Sequence, residues 1–194
     1  AASDVYKRQG IWSPRGSNPS SMTTSMSKLI CVTSRTLCPS PFLPRLEAIA
    51  RAGAGAILLR EKDLTPEEYA TLACPVLALC RQAGIPCILH NHPEATLTLG
   101  ADALHLPMPA LRGLDEAVRA RFAQLGASCH SLEEAREAQA LGCTYITLGH
   151  IFPTGCKPGV PPRGVELLRQ VCRAVPLPAV SYTHLRAHET LRHL

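Results

Sequence analysis

Aromatic residues, long apolar runs and paired cysteine motifs are scarce or absent in this sequence. Phe, Trp and Tyr make up only 4% of the 194 residues, whereas surfaces that bind nucleic acids commonly use aromatic side chains and a strong positive charge. No apolar run approaches the roughly 20 residues that span a bilayer. We therefore expect neither a nucleic-acid partner nor insertion into a membrane.

The cysteines also lack the spacing of a metal site or a disulfide framework. There are nine of them, an odd number, and no two form a CxxC pair. Most lie inside apolar runs, where a reduced thiol packs as a small hydrophobic group. This pattern predicts a reducing, cytoplasmic location.

Both termini differ in composition from the middle of the chain. Residues 1–25 are rich in Ser, Pro and Gly without helical or strand periodicity, and SDVYKRQ near the start and SYTHLRAHET near the end resemble translated sequencing adapters. We expect 1–25 and 181–194 to be non-native or disordered tails around a domain at 26–180. The tails carry three of the five net positive charges, so the predicted domain is only mildly basic.

Short apolar runs alternate with helix-like segments through the predicted domain. Strands are predicted at 29–33, 56–60, 86–90, 102–106, 126–129, 144–149 and 177–180. Two helices carry capping-box starts, at Thr65 with Glu68 and at Ser131 with Glu134. Gly84 and Gly142 are the expected left-handed caps at the ends of those helices.

Repeated strand and helix pairs predict a parallel sheet, which can be an open doubly wound sheet or a barrel. Neither GxGxxG nor GxxxxGK[ST] follows the first strand, which removes the usual nucleotide-binding reason for the open sheet. We expect an α/β fold of the (β/α)₈ TIM-barrel class. It is expected to be truncated after about strand seven, because the pattern ends near Val180.

Polar residues lie at the carboxyl ends of five successive predicted strands, the second to the sixth. In a barrel these strand ends open on one face, where the active site is built. The alternative is that each polar residue simply begins a loop. The residues are Arg60, Glu61, Lys62, His90, Asn91, His105, Ser128, His130, Gly149 and His150.

Histidines dominate the predicted face. Imidazole gives or accepts a proton near pH 7, which makes His150 and His130 candidates for proton transfer. Metal binding is the rival use, but neither His130 nor His150 belongs to an HxH or HxxxH pair, and no acidic cluster accompanies them. We therefore predict no metal site.

Cations at the same face suit an anionic ligand. Arg60, Lys62 and Lys157, with the Thr154 loop, are expected to bind a phosphate or carboxylate. Glu61 is the alternative partner of Arg60, which would make the arginine structural. Asn91 and Ser128 complete the predicted binding residues.

Four segments resemble one known superfamily, that of thiamine phosphate synthases and thiazole tautomerases, which are (β/α)₈ proteins. The resemblance spans about 28–180 and implies thiamine metabolism, with a phosphorylated thiazole as ligand. The segments are LLREKDL (58–64), GADALHLP (100–107), GASCHSLEEA (126–135) and LGHIFPTGCKPGVPPRGVELL (148–168).

Departures from the synthase pattern favour the tautomerase branch. Synthases of this superfamily carry acids after the third and fourth strands that hold Mg²⁺ against a pyrophosphate, whereas this chain has His92 and 106–109 (Leu-Pro-Met-Pro) there. Gly149-His150 resembles the tautomerase branch, in which that histidine is the proton carrier. The main prediction is therefore an isomerase that aromatises a thiazole phosphate carboxylate without a cofactor.

Two alternatives stay open. One is a thiamine phosphate synthase, which would need Mg²⁺ to join hydroxymethylpyrimidine pyrophosphate and thiazole phosphate. The other is a non-catalytic regulator that binds thiazole or thiamine phosphates. The expected partner is a small phosphorylated thiazole in each case, and a homo-oligomer is compatible with all three.

Overall fold

The computed structural model describes residues 29–38, 40–152, 159 and 161–181, and these fall into two units. The N-terminal unit contains the described residues of Ser13–Leu106 together with Leu114–Leu125. The C-terminal unit contains Pro107–Gly113 and the described residues of Gly126–Leu194. Thr154 and Lys157, two of the predicted binding residues, lie outside the described residues.

Strands and helices alternate through both units. The described strands are β1 (Ile30–Val32), β2 (Ala56–Leu59), β3 (Cys87–His90), β4 (Ala103–Pro107), β5 (Gln124–Cys129), β6 (Tyr145–Leu148) and β7 (Ala179–Ser181). The described α-helices are α1 (Phe42–Arg51), α2 (Pro66–Ala83), α3 (Pro93–Thr98), α4 (Met108–Arg112), α5 (Glu116–Arg119), α6 (Leu132–Ala140) and α7 (Gly164–Ala174). Each predicted strand is found within two residues of its predicted bounds.

Parallel strands in sequential order form the sheet of the N-terminal unit. β1 pairs with β2, β2 with β3, and β3 with β4, all in parallel. In a doubly wound sheet the strand order reverses near the start, whereas sequential parallel strands with right-handed crossovers are typical of a barrel. The predicted TIM-barrel class is confirmed.

The core of the N-terminal unit lies between its sheet and helices α1 and α2. β2 is buried along its whole length, which explains its uniformly apolar sequence. Tyr69, Val76 and Leu77 of α2 pack in the same cluster as Ile57 and Leu46. Burial of each large apolar side chain contributes about 1.5–3 kcal/mol.

Helix α2 begins and ends as its sequence predicts. Thr65 Oγ1 accepts a hydrogen bond from the Glu68 amide at 3.3 Å, and the Glu68 carboxylate accepts one from the Thr65 amide at 2.9 Å. Gly84 follows with φ +67°, the left-handed conformation that stops the helix. The capping box therefore fixes the direction in which α2 leaves β2.

The C-terminal unit contains a second run of parallel strands, with β5 paired to β6 and β6 to β7. Gly126 of β5 lies opposite Tyr145 of β6, and a Cβ atom at Gly126 would overlap the Tyr145 ring. Glycine at this position leaves room for that ring. Close contact between the two strands therefore depends on the missing side chain.

Helix α6 departs from the predicted capping box. Ser131 Oγ accepts a hydrogen bond from the Glu134 amide at 3.2 Å, as expected. The Glu134 carboxylate, however, accepts from the His130 amide at 2.6 Å, one residue before the cap. Glu134 thus holds the carboxyl end of β5 against the start of α6.

Among the described residues, no helix has the length and apolar character that a bilayer span requires.

Candidate functional site

The carboxyl end of β2 presents two cations and one buried acid. Arg60, Glu61 and Lys62 directly follow the last residue of β2. Glu61 is only 4% exposed, and its carboxylate accepts hydrogen bonds from Thr33 Oγ1 at 2.6 Å and from the Arg35 amide at 2.8 Å. It serves as an anchor for the chain that follows β1, and the alternative that it pairs with Arg60 is wrong.

Neither Arg60 nor Lys62 forms an ion pair with any residue in the described part of the chain. Arg60 is half-buried, and its amide donates to Thr33 Oγ1 at 3.0 Å. Lys62 is exposed. Asp63, the next acid, is already paired with Arg35 at 2.6 Å. The two cations are therefore available for an external anion.

A tyrosine hydroxyl lies between the carboxyl ends of β2 and β3. Tyr69 of α2 is fully buried, donates to the Leu59 carbonyl at 2.7 Å and accepts from the His90 amide at 2.8 Å. Burial raises the pKa of Tyr69, so the hydroxyl stays protonated. It bridges the two strand ends where their backbone pairing stops, and it holds His90 beside Arg60.

His90 and His105 are opposite one another on β3 and β4, with ring centroids 6.0 Å apart and planes inclined by 24°. Burial lowers the pKa of His90 to about 4, with further lowering from the charges of Arg60 and Lys62. Burial lowers the pKa of His105 to about 3. Both rings are neutral at pH 7.

Asn91 and His92 complete this end of β3. Asn91 has φ +66°, and its amide donates to the His105 carbonyl at 3.0 Å, while its side chain is exposed. The His92 ring lies 4.3 Å from the Tyr69 ring, centroid to centroid, and burial lowers its pKa. The N-terminal unit thus brings together Arg60, Lys62, His90 and Asn91 around the end of its sheet.

His130 is the best-defined polar residue at the strand ends of the C-terminal unit. Its Nδ1 lies 2.7 Å from the Gly149 carbonyl oxygen. Because a carbonyl only accepts, Nδ1 carries a proton, and in the tautomer with its proton on Nδ1 the Nε2 atom is an acceptor. The hydrogen bond that the His130 amide donates to the Glu134 carboxylate fixes the His130 backbone as well. Side chain and backbone are therefore both held in place.

Ser128 and His150 lie in the same unit. Thr147 Oγ1 donates to Ser128 Oγ at 3.3 Å across the β5–β6 pair. His150 follows β6 through a cis peptide with Gly149 and is 7% exposed, and its carbonyl accepts from the Arg163 amide at 2.9 Å. Ser128 is the penultimate residue of β5, and His150 lies two residues beyond the end of β6.

Comparison with known proteins identifies the family. Residues 29–190 match the family described as thiamine monophosphate synthase. The chain belongs to this family. Thiamine-phosphate synthase of Roseiflexus castenholzii is 35% identical over 141 residues, 70% of this chain and 60% of the relative. That of Chlorobium luteolum is 34% identical over 169 residues, 82% and 76% of the two chains.

A solved structure supports the assignment to the family. Thiamine phosphate pyrophosphorylase of Pyrococcus furiosus superposes with a TM-score of 0.68 at 26% identity, covering 85% of this chain and 80% of the other. The matched region spans 60% of the length of the Roseiflexus castenholzii relative and 58% of the length of a second Roseiflexus relative. The suspected superfamily is confirmed.

The family members contradict the predicted tautomerase activity and isomerase class. Relatives similar over most of this chain are named thiamine-phosphate synthases. The tautomerase prediction gave most weight to a few residues after β3, β4 and β6, and such residues can change while the rest of the sequence keeps its similarity to the synthases. The proton-carrier role of His150 depended on that activity and is not carried forward.

Magnesium is the metal that the synthase branch implies, and the residues present do not fit it. Mg²⁺ requires oxygen ligands in octahedral geometry. The ends of β3 and β4 offer imidazoles, the Asn91 amide and Pro107, while Glu61 and Asp63 are engaged elsewhere. In the described ranges, no group of three His, Cys, Asp or Glu side chains is placed to hold a metal ion.

Sequence reasoning missed three residues at these strand ends. Tyr69 reads as an apolar core position of an amphipathic helix, and nothing in its spacing signals that its hydroxyl bridges two strands. Glu134 was expected only to cap its own helix. His92 was noted only as a replacement for an acid.

Proposed function

We propose that the protein containing this chain is a thiamine-phosphate synthase of thiamine biosynthesis. It would join hydroxymethylpyrimidine pyrophosphate to thiazole phosphate and release pyrophosphate. The observation that carries the proposal is the similarity over 141 residues to a relative of that name, at 35% identity. The unpaired cations after β2 support it.

The reaction needs a site that stabilises a leaving anion. The bond from the pyrimidine methylene carbon to the pyrophosphate oxygen breaks, the thiazole nitrogen bonds to that carbon, and pyrophosphate departs with the electron pair. Positive groups fixed near the leaving oxygens stabilise the negative charge that develops there. Arg60 and Lys62 are the candidates, because neither is neutralised by a described carboxylate.

Polar groups of the C-terminal unit would contact the thiazole phosphate. We assign this role to Ser128 and His130, whose positions are fixed by Thr147 and by the Gly149 carbonyl. His130 Nε2 can accept a hydrogen bond from the substrate or from water. Thr154 and Lys157 are proposed to bind the phosphate.

A non-catalytic regulator is the second candidate. The observation in its favour is that the acids of the synthase pattern are replaced by His92 after β3 and by 106–109 (Leu-Pro-Met-Pro) at the end of β4. Such a protein would bind the phosphorylated ligands through the same cations without joining them.

The test is to incubate the full protein with both substrates and to quantify thiamine phosphate and pyrophosphate by mass spectrometry. The proposal predicts equal amounts of the two products. Binding of the ligands without either product would favour the regulator. Absence of both binding and product would refute both functions.

A further inference from the structure

We propose that the N-terminal unit binds a diphosphate group directly through Arg60, Lys62 and His90, without a bridging divalent cation. The inference rests on the proposed function, because it concerns how the pyrophosphate end of that substrate is held. It departs from the metal-bridged binding that the acids of the synthase pattern imply.

The side chains of Arg60 and Lys62 supply two positive charges for binding the diphosphate. Arg60 directly follows β2 and Lys62 lies two residues further along, and no carboxylate in the described ranges pairs with either. Burial is the main cause of the lowered pKa of His90, and the charges of Arg60 and Lys62 lower it further. The three groups therefore share one electrostatic environment, which is positive.

The same positive potential opposes a metal ion. The positive charges of Arg60 and Lys62 repel a divalent cation, and the end of β3 offers two imidazoles and an amide in place of the carboxylate oxygens that suit Mg²⁺. The two nearby acids are already engaged, because Glu61 accepts from Thr33 Oγ1 and the Arg35 amide and Asp63 pairs with the Arg35 side chain. The site therefore suits an anion that arrives without its own metal.

His90 can add a hydrogen bond without adding charge. Its ring forms no hydrogen bond to any other described residue, and a neutral imidazole always has one N–H to donate. The Tyr69 hydroxyl holds the backbone of His90 at 2.8 Å. The ring is thus placed in advance, which lowers the entropic cost of binding.

Calorimetric titration of the 194-residue chain with inorganic pyrophosphate tests the proposal. Binding in EDTA should be at least as tight as binding in excess MgCl₂, because magnesium competes for the free anion. Lys62→Ala should weaken binding about 10- to 100-fold, the usual effect of losing one charge-assisted contact. Arg81→Ala, which removes an exposed arginine in the last turn of α2, near the amino end of β3, should stay within about twofold of wild type.

Three results would overturn the inference. They are binding at least 10-fold tighter with MgCl₂ than with EDTA, equal losses in Lys62→Ala and Arg81→Ala, and no pyrophosphate binding in either buffer. Because Lys62 is exposed, the circular dichroism spectrum of Lys62→Ala should match that of wild type, which shows that the variant folds. Broadening of the ³¹P resonance of pyrophosphate provides a second measurement of binding.

The experiments distinguish failure of the metal-free binding from failure of the proposed synthase function. Thiamine phosphate formation that stops in EDTA, together with magnesium-dependent pyrophosphate binding, would overturn the inference and support the function. Metal-free pyrophosphate binding by a protein that forms no product would support the inference and refute the function.

Discussion

The Tyr69 hydroxyl accepts a hydrogen bond from the His90 amide at 2.8 Å and so links helix α2 to the carboxyl end of β3. The same hydroxyl donates to the Leu59 carbonyl at 2.7 Å. One buried group thereby positions the ends of two strands and the residues that follow them. Its removal should affect both stability and ligand binding.

Tyr69→Phe is expected to destabilise the protein by about 1–3 kcal/mol, because two backbone groups lose their partner in the core. Urea denaturation measures this change. Thr71→Ala, on the exposed face of the same helix, should cost less than about 0.5 kcal/mol. Pyrophosphate affinity should also fall in Tyr69→Phe and not in the control. Unchanged stability of Tyr69→Phe would show that water replaces the hydroxyl.

The neutral histidines predict a dependence of stability on pH. The pKa values of His90 and His105 are lowered to about 4 and about 3 in the folded protein, against about 6.5 when unfolded. Between pH 6.5 and 4 the unfolded chain therefore binds more protons, so stability rises with pH. Each histidine contributes a slope of up to about 1.4 kcal/mol per pH unit in this window.

His90→Gln tests that slope. Arg60, Lys62 and His92 are the charged or titratable groups that lower the pKa of His90 electrostatically. The loss of unfolding free energy from pH 7 to pH 5 should be about 1–2 kcal/mol smaller in His90→Gln than in wild type. Equal losses in the two proteins would mean that His90 titrates normally.

The contact of Gly126 with Tyr145 predicts a sensitive position in the C-terminal unit. Gly126→Ala should destabilise the protein by about 1–3 kcal/mol, because the added methyl overlaps the Tyr145 ring. Gly113→Ala is the matched control, since a Cβ there would have its closest contact at an ordinary 3.8 Å. Thermal unfolding compares the two. Similar transitions would indicate that the Tyr145 ring moves aside without cost.

The strands and helix starts were predictable because they depend on neighbours in the sequence. Apolar runs such as the one forming β2, and the reciprocal bonds of Thr65 and Glu68, need no knowledge of distant residues. Tyr69 and Glu134 were not predictable in the same way. Each bonds to a backbone group whose position depends on tertiary packing, so local periodicity carries no signal of it.

The activity was harder to predict for a related reason. Residues at the ends of β3 and β4 decide which ions a site can hold, but they are few. His92 and Pro107 favour the tautomerase branch, whereas the similarity over 141 residues favours the synthases. The domain bounds at 26 and 180 and the roles of Thr154 and Lys157 stay predictions.

The central claim is that the Arg60 end of β2 binds the pyrophosphate group in a synthase reaction. The most direct test is steady-state formation of thiamine phosphate from both substrates by wild type, Arg60→Ala and Arg81→Ala. We predict that Arg60→Ala lowers kcat/KM by about 10²-fold or more, whereas Arg81→Ala stays within about twofold of wild type. Product formation by Arg60→Ala at the wild-type rate, or no product from wild type, would contradict the account.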